Sequence, residues 1–146
     1  MKLIILLLTF FLITSLSALA IDFQPIPKNQ VEYGCGCGYR TKPPTTIQPV
    51  FQSELSFEGP RAFVAGKLVS LEPVDVEQLS DKPKVGDVFT QHYRYEDLEL
   101  FFVNTVTFVC PQGSEGGCEV IRFDSELKIT QGNEVQTMSL SGDCGC

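Results

Sequence analysis

The sequence has a single histidine, His92, and none of the familiar catalytic motifs. One imidazole excludes any site that needs two, and it leaves only one for base catalysis. There is no nucleophile elbow, phosphate-binding loop, zincin helix or dinucleotide fingerprint. A hydrolase that uses carboxylates alone stays open, because that chemistry needs no histidine. These absences favour a chain that is not an enzyme and that carries no cofactor.

Basic residues are also scarce, with 11 Lys and Arg against 18 Asp and Glu and a net charge of −7. Binding to nucleic acid or to an anionic membrane surface needs clustered Lys and Arg. We therefore expect no nucleic-acid partner. The acidity fits a basic partner, but ordinary solubility is the commoner reason for it. The partner, a protein or a small molecule, and the oligomeric state stay open.

The N-terminus has the pattern of a secretory signal peptide. Met1 and Lys2 precede an apolar run from Leu3 to Leu19, and Ala18-Leu19-Ala20 supplies a small-x-small cleavage pattern. The alternative is an uncleaved membrane anchor, but the hydroxyls in the run and its small-residue end favour cleavage after Ala20. Residues 1–20 are thus predicted to be a signal peptide. We expect the mature chain to be secreted or periplasmic, with no membrane insertion after cleavage.

The rest of the chain divides by composition into an arm and a domain. Residues 21–51 carry five prolines, which favour extended backbone and predict a Pro-rich N-terminal arm. Residues 52–146 are predicted to form a single β domain. Its strand candidates are rich in β-branched and aromatic residues: Arg61–Leu71, Asp87–Tyr95, Leu98–Cys110, Cys118–Thr130 and Val135–Leu140.

One helical turn is predicted over Val74–Ser80, where Val76 and Leu79 are three residues apart. The predicted class is all-β. Five strands with a short helical turn suggest a small barrel, similar to an oligonucleotide/oligosaccharide-binding (OB) fold, or else a compact sandwich. Disulfides are expected to hold the arm against this domain.

The strongest local pattern is a hairpin around Gly132-Asn133. From Ile121 to Ile129, apolar and polar residues alternate with period two, which predicts one buried and one solvated face. A two-residue turn at Gly132-Asn133 then fixes the register. The predicted pairs are Leu127 with Met138, Lys128 with Thr137, and Ser125 with Leu140.

The candidate strand over Leu98–Val109 is apolar on both faces. Phe101 and Val103 share one face, and the other face carries Phe102, Val106 and Phe108. This pattern predicts a central strand that is covered on both sides.

Six cysteines in an exported chain indicate three disulfides. Cys110 and Cys118 flank a Gly-rich loop between two strand candidates, so we predict that they bridge the mouth of a hairpin. The other four form two Cys-Gly-Cys motifs, Cys35–Cys37 and Cys144–Cys146. A bridge within either motif closes a strained ring, so we predict pairing between the motifs.

A second bridge beside the first closes almost no additional loop, which invites other interpretations of the two motifs. Four clustered thiolates could hold Cu(I) or Zn(II), or the motifs could carry thiol-redox exchange. An oxidising compartment and the one-residue spacing favour structural disulfides instead, and we expect no metal.

The segment Thr90–Tyr95 is the candidate ligand-binding region. Alternation places Tyr93 and Tyr95 on one face, and His92 and Arg94 on the other. Tyrosine and arginine are enriched at recognition surfaces. The chain is therefore predicted to be a non-enzymatic binding module; the alternative is that the tyrosines belong to the core.

Overall fold

The computed structural model describes residues 20–53, 59–111 and 118–146. The predicted signal peptide, apart from Ala20, and most of the loop between Cys110 and Cys118 lie outside these residues. The described residues form one 3-10 turn, Lys28–Gln30, and ten β-strands. The strands are β1 (Phe23–Gln24), β2 (Gly36–Thr41), β3 (Phe51–Ser53), β4 (Arg61–Val64), β5 (Lys67–Ser70), β6 (Glu72–Val76), β7 (Val88–Tyr95), β8 (Leu98–Val109), β9 (Ile121–Gln131) and β10 (Glu134–Gly145). The predicted all-β class is confirmed.

The strands form one antiparallel sheet in the order β1-β4-β3-β2-β10-β9-β8-β7-β6, with β5 also paired to β4. Strands β3 and β1 lie end to end along one edge of β4, and β5 takes its other edge. Only Leu71 separates β5 from β6, which borders β7. Strands β5 and β6 are thus the outer strands at the two edges of the sheet, and they follow each other in the chain. The two edges therefore meet at Leu71.

Aromatic packing shows how strongly the sheet is curled. Phe51 on β3 and Tyr93 on β7 have ring centroids 5.1 Å apart, although four strands lie between β3 and β7. Tyr39 on β2 and Phe102 on β8 approach to 5.0 Å. Inward-pointing aromatic side chains from distant strands fill the concave face, because a close-packed interior needs large side chains to span the curl.

A buried polar cluster lies within this core. The Tyr39 hydroxyl donates to Gln91 Oε1 at 2.6 Å, and Asn104 Nδ2 donates to the same oxygen at 3.3 Å. These bonds connect β2, β7 and β8 across the curl. Burial of a polar group is tolerated when it is hydrogen-bonded, so the cluster helps to select this arrangement of the strands.

The predicted hairpin at Gly132-Asn133 is confirmed together with its register. Strands β9 and β10 pair Leu127 with Met138, Lys128 with Thr137, and Ser125 with Leu140. The candidates for β7 and β8 are also strands, joined by the two-residue turn Glu96-Asp97.

Two local predictions were wrong. The run Arg61–Leu71 is a hairpin rather than one strand, because Ala65 and Gly66 both adopt positive φ and form a two-residue turn. The predicted helical turn over Val74–Ser80 is absent; residues up to Val76 are extended. Pairing of β6 with β7 overrides the weak helical spacing of Val76 and Leu79.

The prediction that β8 is covered on both sides was also wrong. Its concave face is buried, but Phe101 and Val103 on the other face are 39% and 38% exposed. A bulge between Val106 and Phe108 shifts the register, so Phe108 leaves the face of Val106 and pairs with the outward-facing Arg122.

The five-stranded OB-like barrel and the Pro-rich arm are not confirmed. The sheet has ten strands, and residues 21–51 supply β1, β2 and the first residue of β3. Phe23, Ile26 and Tyr39 from this stretch are buried. Its prolines lie outside the three strands, where no ladder needs their missing N–H group.

We predict that Gly142→Ala destabilises the protein, because an added Cβ would overlap the Phe123 ring on the paired strand. The free energy of unfolding should fall by about 1–3 kcal/mol, the usual range for overpacking. Gly38→Ala on the adjacent strand is the matched control, since its nearest neighbour would be 3.9 Å away. Equal denaturation midpoints for the two variants would contradict this packing argument.

Candidate functional site

The structure separates the four predicted ligand-binding residues of β7. Tyr93 is 3% exposed and lies in the core, and Tyr95 is half-buried and packs against that core. His92 and Arg94 lie on the opposite, outward face. Tyr93 is therefore a core residue, which was the alternative to a ligand-binding role for the tyrosines.

The two outward residues have acidic neighbours. His92 Nε2 lies 3.3 Å from Glu99 Oε2, and the Arg94 guanidinium lies 4.0 Å from Glu72 Oε2. His92 is also directly paired with Phe101 of β8, with ring centroids 6.0 Å apart. The outward polar side chains of β7 thus border a strip of apolar side chains on β8.

This strip consists of Phe101, Val103 and Phe108, each 38–39% exposed, with two exposed threonines between Val103 and Phe108. The guanidinium carbon of Arg122 lies 5.3 Å from the Phe108 ring centroid, in cation–π contact. We call His92, Arg94, Phe101, Val103 and Phe108 the β7–β8 face. It is an open sheet surface that combines apolar side chains with an arginine and a histidine.

Sequence reasoning missed the β8 part of this face. Its apolar residues alternate with equally apolar inward residues, and that pattern is shared by strands buried on both sides. Whether a second layer covers a strand depends on tertiary packing. A signal was available in β9. Each of the three apolar side chains is paired there with a charged residue: Lys128, Glu126 or Arg122.

All six cysteines are in disulfides, and the predicted pairing between the two Cys-Gly-Cys motifs is confirmed. Cys37 and Cys144 are direct partners in the β2–β10 ladder, with Cα atoms 4.0 Å apart. Cys35 and Cys146 lie just beyond the end of the ladder, with Cα atoms 4.1 Å apart. We call these the inner and the outer bridge. The predicted Cys110–Cys118 bridge is also present.

The two bridges differ in exposure. Cys37 is 6% exposed and belongs to the core, whereas Cys35 and Cys146 are exposed. A pocket of about 330 Å³ is lined by all four cysteines, both motif glycines, Glu119 and Ile121. The outer bridge therefore lies in a concave, accessible position at one end of the sheet.

Gly145 is needed for this close packing. A Cβ at this position would lie 2.7 Å from the Glu119 carbonyl oxygen and 3.2 Å from Val120 Cα. Only glycine allows the last residue of β10 to approach this backbone so closely. The middle residue of the second motif is thus explained by its close approach to the neighbouring segment.

Disulfide sulfurs do not provide the thiolates that a Cu(I) or Zn(II) site requires. Within the described ranges, no group of three or more His, Cys, Asp or Glu side chains is arranged to hold a metal ion. The same part of the chain has no helix long and apolar enough to cross a membrane.

Comparison with known proteins finds no matching family model, no matching curated protein and no matching solved structure. The features of this chain that bear on function are the geometry of the β7–β8 face and that of the two bridges.

The two bridges close nearly the same loop, so we predict that their contributions to stability are strongly non-additive. Replacing either pair by alanine leaves a cross-link that still closes the loop. Replacing both pairs should lower the free energy of unfolding by about 4.8 kcal/mol, the chain-entropy value for a loop of this length.

Denaturation of the two double variants and of the quadruple variant checks this prediction. The sum of the two double-variant effects should be well below the effect in the quadruple variant. Effects that simply add would mean that each bridge acts independently of the shared loop.

Proposed function

We propose that the chain is an exported, non-enzymatic binding module and that its β7–β8 face contacts a protein partner. The observation that carries this proposal is the row of exposed apolar side chains on β8, bordered by His92 and Arg94. Phe101, Val103 and Phe108 remain 38–39% exposed although they lie on a central strand of the sheet. Exposed apolar clusters of this kind mark interaction surfaces.

The chemistry of the face supports a macromolecular contact. Aromatic residues and arginine contribute most to binding energy at protein interfaces. Phe101 and Phe108 provide the aromatic area, and Arg94 provides a planar donor that is only weakly engaged, at 4.0 Å from Glu72. His92 adds a polar group directly beside Phe101.

The shape of the sheet favours a protein over a small molecule. Small ligands are usually bound in concave cavities. The concave side of this sheet is filled by Tyr39, Phe51, Phe102 and Phe123, which are all almost fully buried. The β7–β8 face lies on the opposite, open side, and such a surface suits the broad contact of another protein.

Export is supported by the cysteines. Three disulfides with no free cysteine in the described part of the chain are typical of the periplasm or the extracellular space. The proposed signal peptide, residues 1–20, would direct the chain there.

We predict that a photoreactive benzoylphenylalanine at position 101 cross-links the chain to a discrete partner in the producing cell. The same group at Ile47, which is 80% exposed in the β2–β3 connection, is the matched control and should give no such product. Adding Val103→Asp should weaken the product at least tenfold, because a carboxylate in the apolar strip opposes contact.

A product whose mass is twice that of the chain would identify the partner as a second copy. If position 101 gives no adduct, or if positions 47 and 101 give the same adducts, the β7–β8 face is not the binding surface.

The proposed export also predicts the mass of the mature chain. The chain isolated from the periplasm or the medium should begin at Ile21 and should be six hydrogens lighter than its fully reduced form, because of its three disulfides. Intact-mass spectrometry with and without reduction measures both. A chain that retains residues 1–20 would contradict the proposed cleavage after Ala20.

A further inference from the structure

We propose that the outer bridge, Cys35–Cys146, is a thiol–disulfide exchange site that a dithiol donor opens and that closes again reversibly. The inner bridge, Cys37–Cys144, remains closed and structural. This proposal is independent of the β7–β8 face, which lies on other strands. It assigns different roles to the two bridges, which cannot be distinguished from the sequence alone.

Access distinguishes the two bridges. Exchange requires an attacking thiolate to reach a disulfide sulfur. Both cysteines of the outer bridge, Cys35 and Cys146, are exposed at the pocket that all four cysteines line. In the inner bridge, Cys37 is 6% exposed and packs within the hydrophobic core, and Cys144 is half-buried against that core. A donor therefore reaches the outer bridge first.

Loop closure also distinguishes the two bridges. The inner bridge joins residues 107 apart in sequence, and it keeps that long loop closed when the outer bridge opens. With the inner bridge intact, the outer one closes only a ring of residues 35–37 and 144–146. Opening the outer bridge therefore costs the fold little stability.

Loop closure also protects the inner bridge. After the outer bridge has opened, the inner bridge alone closes the long loop, and its reduction would cost the fold the full stabilisation of that loop. It also lies within the β2–β10 ladder, where Cys37 is paired directly with Cys144. Reduction should therefore stop after one bridge.

The ladder also makes the reaction reversible. Gly36 is paired with Gly145, next to the outer cysteines, so β2 and β10 hold the two freed thiols close to each other. Reclosure is then an intramolecular reaction with a high effective concentration. The outer pair can cycle without unfolding the sheet.

The exchange balances as follows. One thiolate of the donor attacks a sulfur of the outer bridge and forms a mixed disulfide, while the other sulfur leaves as a thiolate and takes a proton. The donor's second thiolate then attacks the donor sulfur of the mixed disulfide. This step forms the donor's disulfide and releases the second cysteine, which is also protonated. Two electrons and two protons have moved; the donor is oxidised to a disulfide, and Cys35 and Cys146 are reduced.

Graded reduction with dithiothreitol, followed by alkylation and peptide mapping, tests the order of opening. Cys35 and Cys146 should be labelled at a dithiol concentration at least tenfold below that needed for Cys37 and Cys144. The circular dichroism spectrum should not change during the first step. Labelling of both pairs together, or unfolding during the first step, would overturn the proposal.

Equilibration with an equimolar amount of reduced thioredoxin, used as a protein dithiol probe, tests whether the site exchanges with a biological donor. At least half of the outer bridge should open. If less than a tenth opens, the bridge is structural and the proposal fails.

The variant Cys37→Ala/Cys144→Ala is the matched control for the loop argument. The outer bridge then closes the whole long loop by itself, so its reduction should clearly lower the denaturation midpoint, whereas its reduction in the native chain should leave the midpoint nearly unchanged. Equal losses of stability in the two chains would overturn the loop argument. If this variant does not fold, the labelling order in the native chain still decides.

Discussion

The pairing of β2 with β10 holds the two halves of the sheet together. It joins β1–β5, from the first half of the chain, to the β6–β10 meander, and without it the sheet would separate into two parts. Ladder hydrogen bonds, the inner bridge and Tyr39 act at this one junction. Tyr39 projects from β2 into the concave face, where it contacts the aromatic rings of three other strands, β3, β8 and β9.

The curl that follows from this junction decides which surfaces are available for function. Inward side chains from β2, β3, β7, β8 and β9 fill the concave face, so a ligand cavity has no room there. The open side of β7 and β8 keeps its apolar residues in solvent. We therefore propose binding at the β7–β8 face and sulfur chemistry at the end of the β2–β10 ladder. The two proposed sites use different strands and different physical properties.

Predictions from the sequence succeeded where a short stretch of chain decides the structure. The turn Gly132-Asn133 set the register of β9 and β10, because a two-residue hairpin admits one pairing. Predictions failed where the backbone departed from a simple pattern. The turn at Ala65-Gly66 was missed because alanine seldom adopts positive φ, and the bulge before Phe108 reversed its face without a clear sequence signal.

Residue type, cysteine chemistry and local periodicity were enough to predict the all-β class, the three disulfides and the alternation of β7. The packing of distant strands decided that Tyr93 is buried while Phe101 is exposed. It also decided that the Cys37–Cys144 bridge lies within the ladder and the Cys35–Cys146 bridge beyond its end. Burial and order along a ladder depend on which distant strands meet, and local residue patterns do not contain that information.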